Sequence, residues 1–339
     1  MSTAILAARP APSLMERLWT PRALILLVIL MWGPLTAYVM FGNVLGPARH
    51  YVLWPAIPAT ALLYVLAMSA WRESRIAMIG VTLVFFWLFI AVTAPYLPLI
   101  DPNKPIAPFA LPFTVKNDMF FWLGTDFKGR DMLSRTLWGC QRVIVWGVTA
   151  TLVAYVVSTM FGLLAGYLSG WWDELISFFA NVLLSFPVMV LFIVILNYLG
   201  PSGFNIVIAV TFASAPAIMR IVRGLTLDIK TRDYVFAAQT RGESGWRIML
   251  AEILPNARGP LIVDSCLRLG YVVITIGVLG FLGLGLPPPD PDWGGMINET
   301  RQMAMTFPHM TVFPVIALSS LVLGFNLLAD GLREISLRD

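Results

Sequence analysis

Long apolar runs separated by short polar breaks dominate this chain. After a polar stretch at residues 1–22, apolar segments recur near 23–42, 52–70, 76–97, 141–169, 174–199, 204–223, 260–284 and 311–329. Each is about 19–29 residues long, enough for a helix rising about 1.5 Å per residue to cross roughly 30 Å of hydrocarbon. Within lipid only helices and closed barrels satisfy every backbone group, and continuous apolar runs of this length argue for helices. The pattern predicts an all-α, polytopic membrane protein with about eight transmembrane helices. Pro55 and Pro58 interrupt the first turn of 52–70, so that segment reads either as a span or as an interfacial helix.

Polar positions set the expected topology. Basic residues gather in the link Trp71-Arg72-Glu73-Ser74-Arg75, in the long break holding Arg220, Arg223, Lys230, Arg232, Arg241, Arg247 and Arg258, and near the C-terminus at Arg333 and Arg338. Positive-inside bias then puts these links and both termini in the cytoplasm. Residues 98–140 fall outside, although Lys104, Lys116, Lys128, Arg130 and Arg135 lie there, several of them offset by Asp101, Asp118, Asp126 and Asp131. The expected organisation is a tail and helical pair at 1–74, a first core span and outer loop at 75–140, and a transmembrane core at 141–339 with a cytoplasmic loop at 224–259. The first apolar run follows Arg22 without a small-x-small cleavage pattern, so no removable signal is expected.

Composition sharpens this picture. Of 339 residues, 58% are hydrophobic and 12% charged, against about 25% charged in soluble domains. The net charge of +4 sits at span ends, where anionic lipid and the positive-inside rule place it, and does not indicate nucleic acid. Cys140 and Cys266 lie far apart in or beside apolar runs and read as small buried hydrophobes, not a disulfide.

Several chemistries are excluded. Gly124-Thr125-Asp126-Phe127-Lys128-Gly129 has the glycine spacing of a phosphate-binding loop, but Arg130-Asp131 follows where Lys and Ser/Thr are needed. His50, His309 and the cysteines have no metal-ligand spacing. No histidine lies deep in a span to activate a serine. No catalytic residue, cofactor or metal is expected. Ionisable residues inside spans are few; Asp264 and Arg268 are one turn apart and read as an i,i+4 ion pair. This shortage argues that driving energy enters through another subunit. A secondary transporter or channel working without ATPases, with acids at mid-membrane, is the competing class, and a structural scaffold a third.

The polar break 220–260 carries the most information. Good helix formers run from Arg232 to Arg241, with Thr231 or Asp233 available as a cap. Ala237 and Ala238 remove side-chain bulk, and Gly242 permits a sharp turn. A second amphipathic helix is expected from Ser244 to Leu254, ended by Pro255. An ordinary cytoplasmic loop and a docking element fit equally well on physical grounds.

The order Asp233-Tyr234-Val235, Ala237-Ala238, Gly242, Ile253-Leu254-Pro255-Asn256 closely resembles the coupling loop of the dipeptide/oligopeptide permease family of bacterial ABC importers, in its C-type subunit. Three further stretches resemble the same family in the same order: Gly124-Thr125-Asp126…Gly129-Arg130-Asp131, Leu279–Gly285 with Pro287-Pro288…Trp293-Gly294, and Phe325-Asn326-Leu327…Asp330-Gly331-Leu332-Arg333. The resemblance covers roughly 75–339 and implies a six-helix type I importer core in the bacterial inner membrane. It implies a homologous B-type permease subunit, two ABC ATPase subunits and a periplasmic substrate-binding protein as partners, besides membrane lipid. Tyr234, Phe236, Ala237, Ala238, Gly242, Leu254 and Pro255 would couple to the ATPases, the 124–131 motif would order an outer loop, and Pro187 and Pro216 would kink pathway helices. This chain departs from the pattern twice. Phe236 replaces the loop's leading Glu, and residues 1–74 add a helical pair to the usual six spans.

Overall fold

The computed structural model describes residues 21–45, 49–71 and 74–336. The expected tail lies almost wholly outside these residues, as do Arg72, Glu73 and Arg338. Eleven helices of eight or more residues carry the described chain: α1 Pro21–Leu45, α2 Ala56–Ala70, α3 Arg75–Thr93, α4 Met132–Leu168, α5 Trp171–Ser185, α6 Val188–Leu199, α7 Gly203–Ile229, α8 Asp233–Thr240, α9 Gly245–Phe281, α10 Trp293–Thr300 and α11 His309–Ser336. One antiparallel hairpin, β1 Thr114–Lys116 with β2 Met119–Phe121, decorates the segment between α3 and α4.

Six of these helices, namely α1, α3, α4, α7, α9 and α11, are long and apolar enough to cross a membrane. The expected run 174–199 is instead two helices, α5 and α6, bent by 91° at Phe186-Pro187. The expected run 52–70 contracts to the 15-residue α2, whose rise of about 22 Å falls short of the hydrocarbon thickness. Other helices outrun their apolar stretches: α4 and α9 each extend over 37 residues. Asp131 explains the early start of α4, since its carboxylate accepts the Ser134 N–H at 2.7 Å and so caps the first turn.

Pro255 does not end a helix. Between Ile248 and Ile253 the backbone widens into a π-helical turn, with the Leu254 N–H donating to the Met249 carbonyl five residues back. Pro255, which has no N–H to give, then occupies the first turn of the resumed α-helix, and α9 runs on through Pro260 to Phe281. The polar segment before the span and the span itself are thereby one continuous helix.

Helices approach closely where glycine removes the side chain. A Cβ at Gly162 on α4 would lie 2.6 Å from the Val222 Cβ on α7, and one at Gly166 would lie 2.6 Å from the Thr226 Cβ. Gly80 on α3 meets the backbone of α11 at Gly324 and Leu328. The largest core cluster gathers Trp87, Ile144, Trp293, Leu321 and Phe325, with the Trp87 and Trp293 rings edge to face at 5.0 Å. Leu35 and Tyr38 of α1, and Ala56 of α2, are buried in this same cluster, so the N-terminal pair packs on the core.

Candidate functional site

Two polar constructions stand at opposite ends of the long helices. The first follows α3. Gly124 and Gly129 adopt positive φ of 76° and 83°, a conformation that costs a side-chain-bearing residue energy. Between them the chain folds back, and Thr125 Oγ1 donates to the Ala107 carbonyl at 2.5 Å while accepting the Ala110 N–H at 2.8 Å. Asp126 Oδ1 accepts the N–H groups of Lys128 and Arg130, both at 2.9 Å, and its Oδ2 accepts from Arg130 Nε at 2.6 Å. Arg130 also reaches Glu299 on α10, which in turn meets Lys128 at 3.1 Å. Burial pushes the Glu299 carboxyl upward, but hydrogen bonds and charge from Arg130 and Lys128 outweigh it and hold the group below its ordinary value. Thr125, Asp126, Arg130 and Asp131 are all buried. They clamp the 124–131 loop to α10, and their donors and acceptors are spent on the protein itself. Glu299 was not legible as their partner, because it lies far along the chain. Among the described residues no group of three or more His, Cys, Asp or Glu could hold a metal ion.

The second construction joins α7 to α9. Helix α8 starts at Asp233 with Arg232 in the capping position and no side-chain cap, so neither Thr231 nor Asp233 fills that role. Thr231 Oγ1 is instead turned back onto the Asp228 carbonyl at 2.8 Å. The helix ends in a Schellman motif: the Gly242 N–H donates to Gln239 O at 2.9 Å and the Glu243 N–H to Ala238 O at 3.2 Å. Gly242 supplies the left-handed residue, with φ of 74°. Ser244 then caps α9, accepting the Arg247 N–H at 3.4 Å. Glu243 bridges the bend through Arg241 at 2.7 Å and Arg247 at 3.4 Å.

One face of α8 is inward. Val235 and Ala238 are fully buried against Ile248, Met249 and Ile253. The expected small exposed pair therefore splits: Ala237 is exposed, and Ala238 is core. Helical geometry is the reason: Val235 and Ala238, three residues apart, share the face that packs inward, and Ala237 falls on the open side. Around Ala237 the surface shows Tyr234, Phe236 at 52% exposure and, from α9, Trp246 and Leu250. Gly242 is also exposed, with open space where a Cβ would stand. Leu254 is half-buried and Pro255 exposed on the π-turned start of α9. Beneath the element, Lys230 Nζ donates to Tyr167 O at 2.7 Å and Ser169 Oγ at 2.9 Å, tying the end of α7 to the end of α4.

Pro187 stands at the break between α5 and α6, whereas Pro216 is accommodated inside α7 without ending it. Deeper in the bundle Arg268 Nε meets Asp264 Oδ2 at 2.9 Å, the expected one-turn pair, and Asp264 also accepts from the Tyr155 hydroxyl of α4. With both carboxylate partners supplied by protein, the pair reads as an internal tie between α4 and α9.

Long apolar helices joined to an amphipathic helix–bend–helix outside the spans define a membrane permease subunit. Residues 158–339 match the family described as binding-protein-dependent transport system inner membrane component. The chain belongs to that family, and is a transport component rather than an enzyme. It is 42% identical over 213 residues to a glutathione transport system permease protein of Pectobacterium atrosepticum, covering 63% of this chain and 71% of that one. It is 34% identical over 281 residues to a dipeptide transport system permease protein of Alkalihalophilus pseudofirmus, covering 79% and 90%. A glutathione transport system permease protein of Escherichia coli is 39% identical over 266 residues, covering 78% and 88%.

Proposed function

We propose that this chain forms half of the translocation pathway of an ATP-driven importer for peptides or similar small solutes. The relatives named for dipeptide and glutathione transport support the substrate class. A homologous permease would supply the other half, two ATPase subunits the energy and a periplasmic binding protein the cargo. Both termini and the 224–259 loop would be cytoplasmic, and the 124–131 loop periplasmic. The helices before residue 75 would form an accessory flank of a six-helix core.

The observation that carries this reading is the surface of α8 and the start of α9. Tyr234, Phe236, Ala237 and Trp246 are exposed on an element otherwise anchored by buried Val235 and Ala238. Phe236 suits hydrophobic docking in a groove of the ATPase, in place of an acid's polar contact. Because α9 is continuous through its π turn, a push at residues 233–255 is delivered to the span itself, and the bundle rocks between inward- and outward-facing states. Changing Gly242 to Trp adds bulk outward at a left-handed residue, straining the bend by roughly 1 kcal/mol without an internal clash. The subunit should still insert and assemble, while ATP hydrolysis proceeds without peptide uptake. Uptake at the wild-type rate in proteoliposomes would sink the docking assignment.

A further inference from the structure

We propose that a cavity between α1 and the core is a headgroup site for one ethanolamine phospholipid. The cavity has a volume of about 480 Å³ and is walled by the end of α1, the turn after α3 and the first turns of α4. These segments lie together at the end of the bundle that carries the outer loop, with Tyr38 and Trp138 on the wall. Aromatic side chains of this kind belong at headgroup depth.

The polar lining matches a zwitterion with N–H donors. Arg142 lines the cavity and is ion-paired with Asp290, which lines it too. A guanidinium in this position can share a lipid phosphate. Asn103 Oδ1 is buried without a hydrogen-bond partner, an arrangement that costs stability unless a donor arrives. Asp101 lies beside it, fixed by accepting the Asn103 N–H at 2.8 Å. An ethanolamine ammonium offers donors to both groups, whereas choline has none. The lining holds two carboxylates, Asp101 and Asp290, against the single cation Arg142, which disfavours an anionic headgroup. Val39, Met40 and Leu97 complete an apolar side on which acyl chains can start. Phe41, next to this wall, and Ile25, Leu26 and Ile29 at the other end of α1 are exposed, the dress of a lipid-facing flank. The site thus gives α1 a role: its end closes a lipid against the core.

The test uses the complete transporter, purified with its partner subunits, delipidated and then offered phosphatidylethanolamine or phosphatidylglycerol. Native mass spectrometry of the complex reads what is retained. The expected result is one phosphatidylethanolamine per copy of this chain, with retention falling about tenfold in Arg142→Gln, the loss of one charge-assisted contact. Leu99→Trp, which fills the cavity without changing charge, should fall similarly and guards against misfolding of the first variant. Equal retention in the variants, preference for phosphatidylglycerol, a bound peptide in place of lipid, or no lipid retained by the wild type would each overturn the proposal.

Discussion

Asp292 shows how one side chain can set a pH dependence. It caps α10 by accepting the Gly295 N–H at 3.0 Å, and its other oxygen is buried with no partner. Complete burial raises its carboxyl from 3.8 to about 6, against the opposing pull of the Gly295 and Gly294 N–H groups and of Arg142. A raised acid favours the folded state in its neutral form. Its contribution is fully present below the unfolded value and is lost as pH rises through about 6, a difference of roughly 3 kcal/mol. Glu299 acts in the opposite sense, being held below its ordinary 4.5, so its loss belongs to more acid solutions. The Asp292 effect is therefore spent between 3.8 and about 6 and is constant at higher pH. Asp292→Asn keeps the capping acceptor and removes the charge. It should raise the melting temperature at pH 8 and leave it nearly unchanged at pH 4. Thermal unfolding in detergent at both pH values checks this, and an equal shift at the two values would refute it. None of this was readable from the chain alone, because an aspartate before Trp293-Gly294 signals a cap but not its burial.

At the scale of elements, helix pairing rests on missing side chains. Apolar packing gains little from lipid exclusion, so close backbone approach and dispersion must hold spans together. Gly162 and Gly166, four residues apart on α4, let α7 come within contact of the helix backbone. Gly162→Leu should force α4 and α7 apart and cost about 1–3 kcal/mol or more. Gly224→Leu on α7, where a Cβ would meet nothing within 4 Å, should leave the melting temperature of the isolated subunit unchanged. If both variants melt alike, the seam between α4 and α7 is not where the stability lies. Which helix fills the face at Gly162 and Gly166 is decided only by the tertiary fold. The same limit applied to Pro255. A proline normally stops a helix because its i−4 carbonyl clashes and an N–H is lost, and only the tertiary path of α9 shows that a π turn absorbs it.

For the whole molecule the expected sidedness has a direct test. Lys128 lies on the outer loop with its side chain about half exposed (49%) in its contact with Glu299. A cysteine at this position should react with an impermeant thiol reagent added to intact spheroplasts; labelling only after the membrane is opened would reverse the topology. The native cysteines complicate this little, since Cys140 is buried and Cys266 is partly so. The sequence by itself determined that the chain is all-α and membrane-embedded, because run length and apolar content depend only on local composition and on the bilayer as solvent. It also determined the position of the bend between α8 and α9, since a left-handed glycine and a serine cap are local requirements. Tertiary structure alone decided that Ala238 is core while Ala237 is surface, that 174–199 turns through a right angle, that Glu299 clamps the 124–131 loop, and that the N-terminal pair shares the main core. Each of these depends on what a distant segment brings to the site. Apolar composition is common to core-facing and lipid-facing positions alike, so it cannot say which neighbour a face will meet.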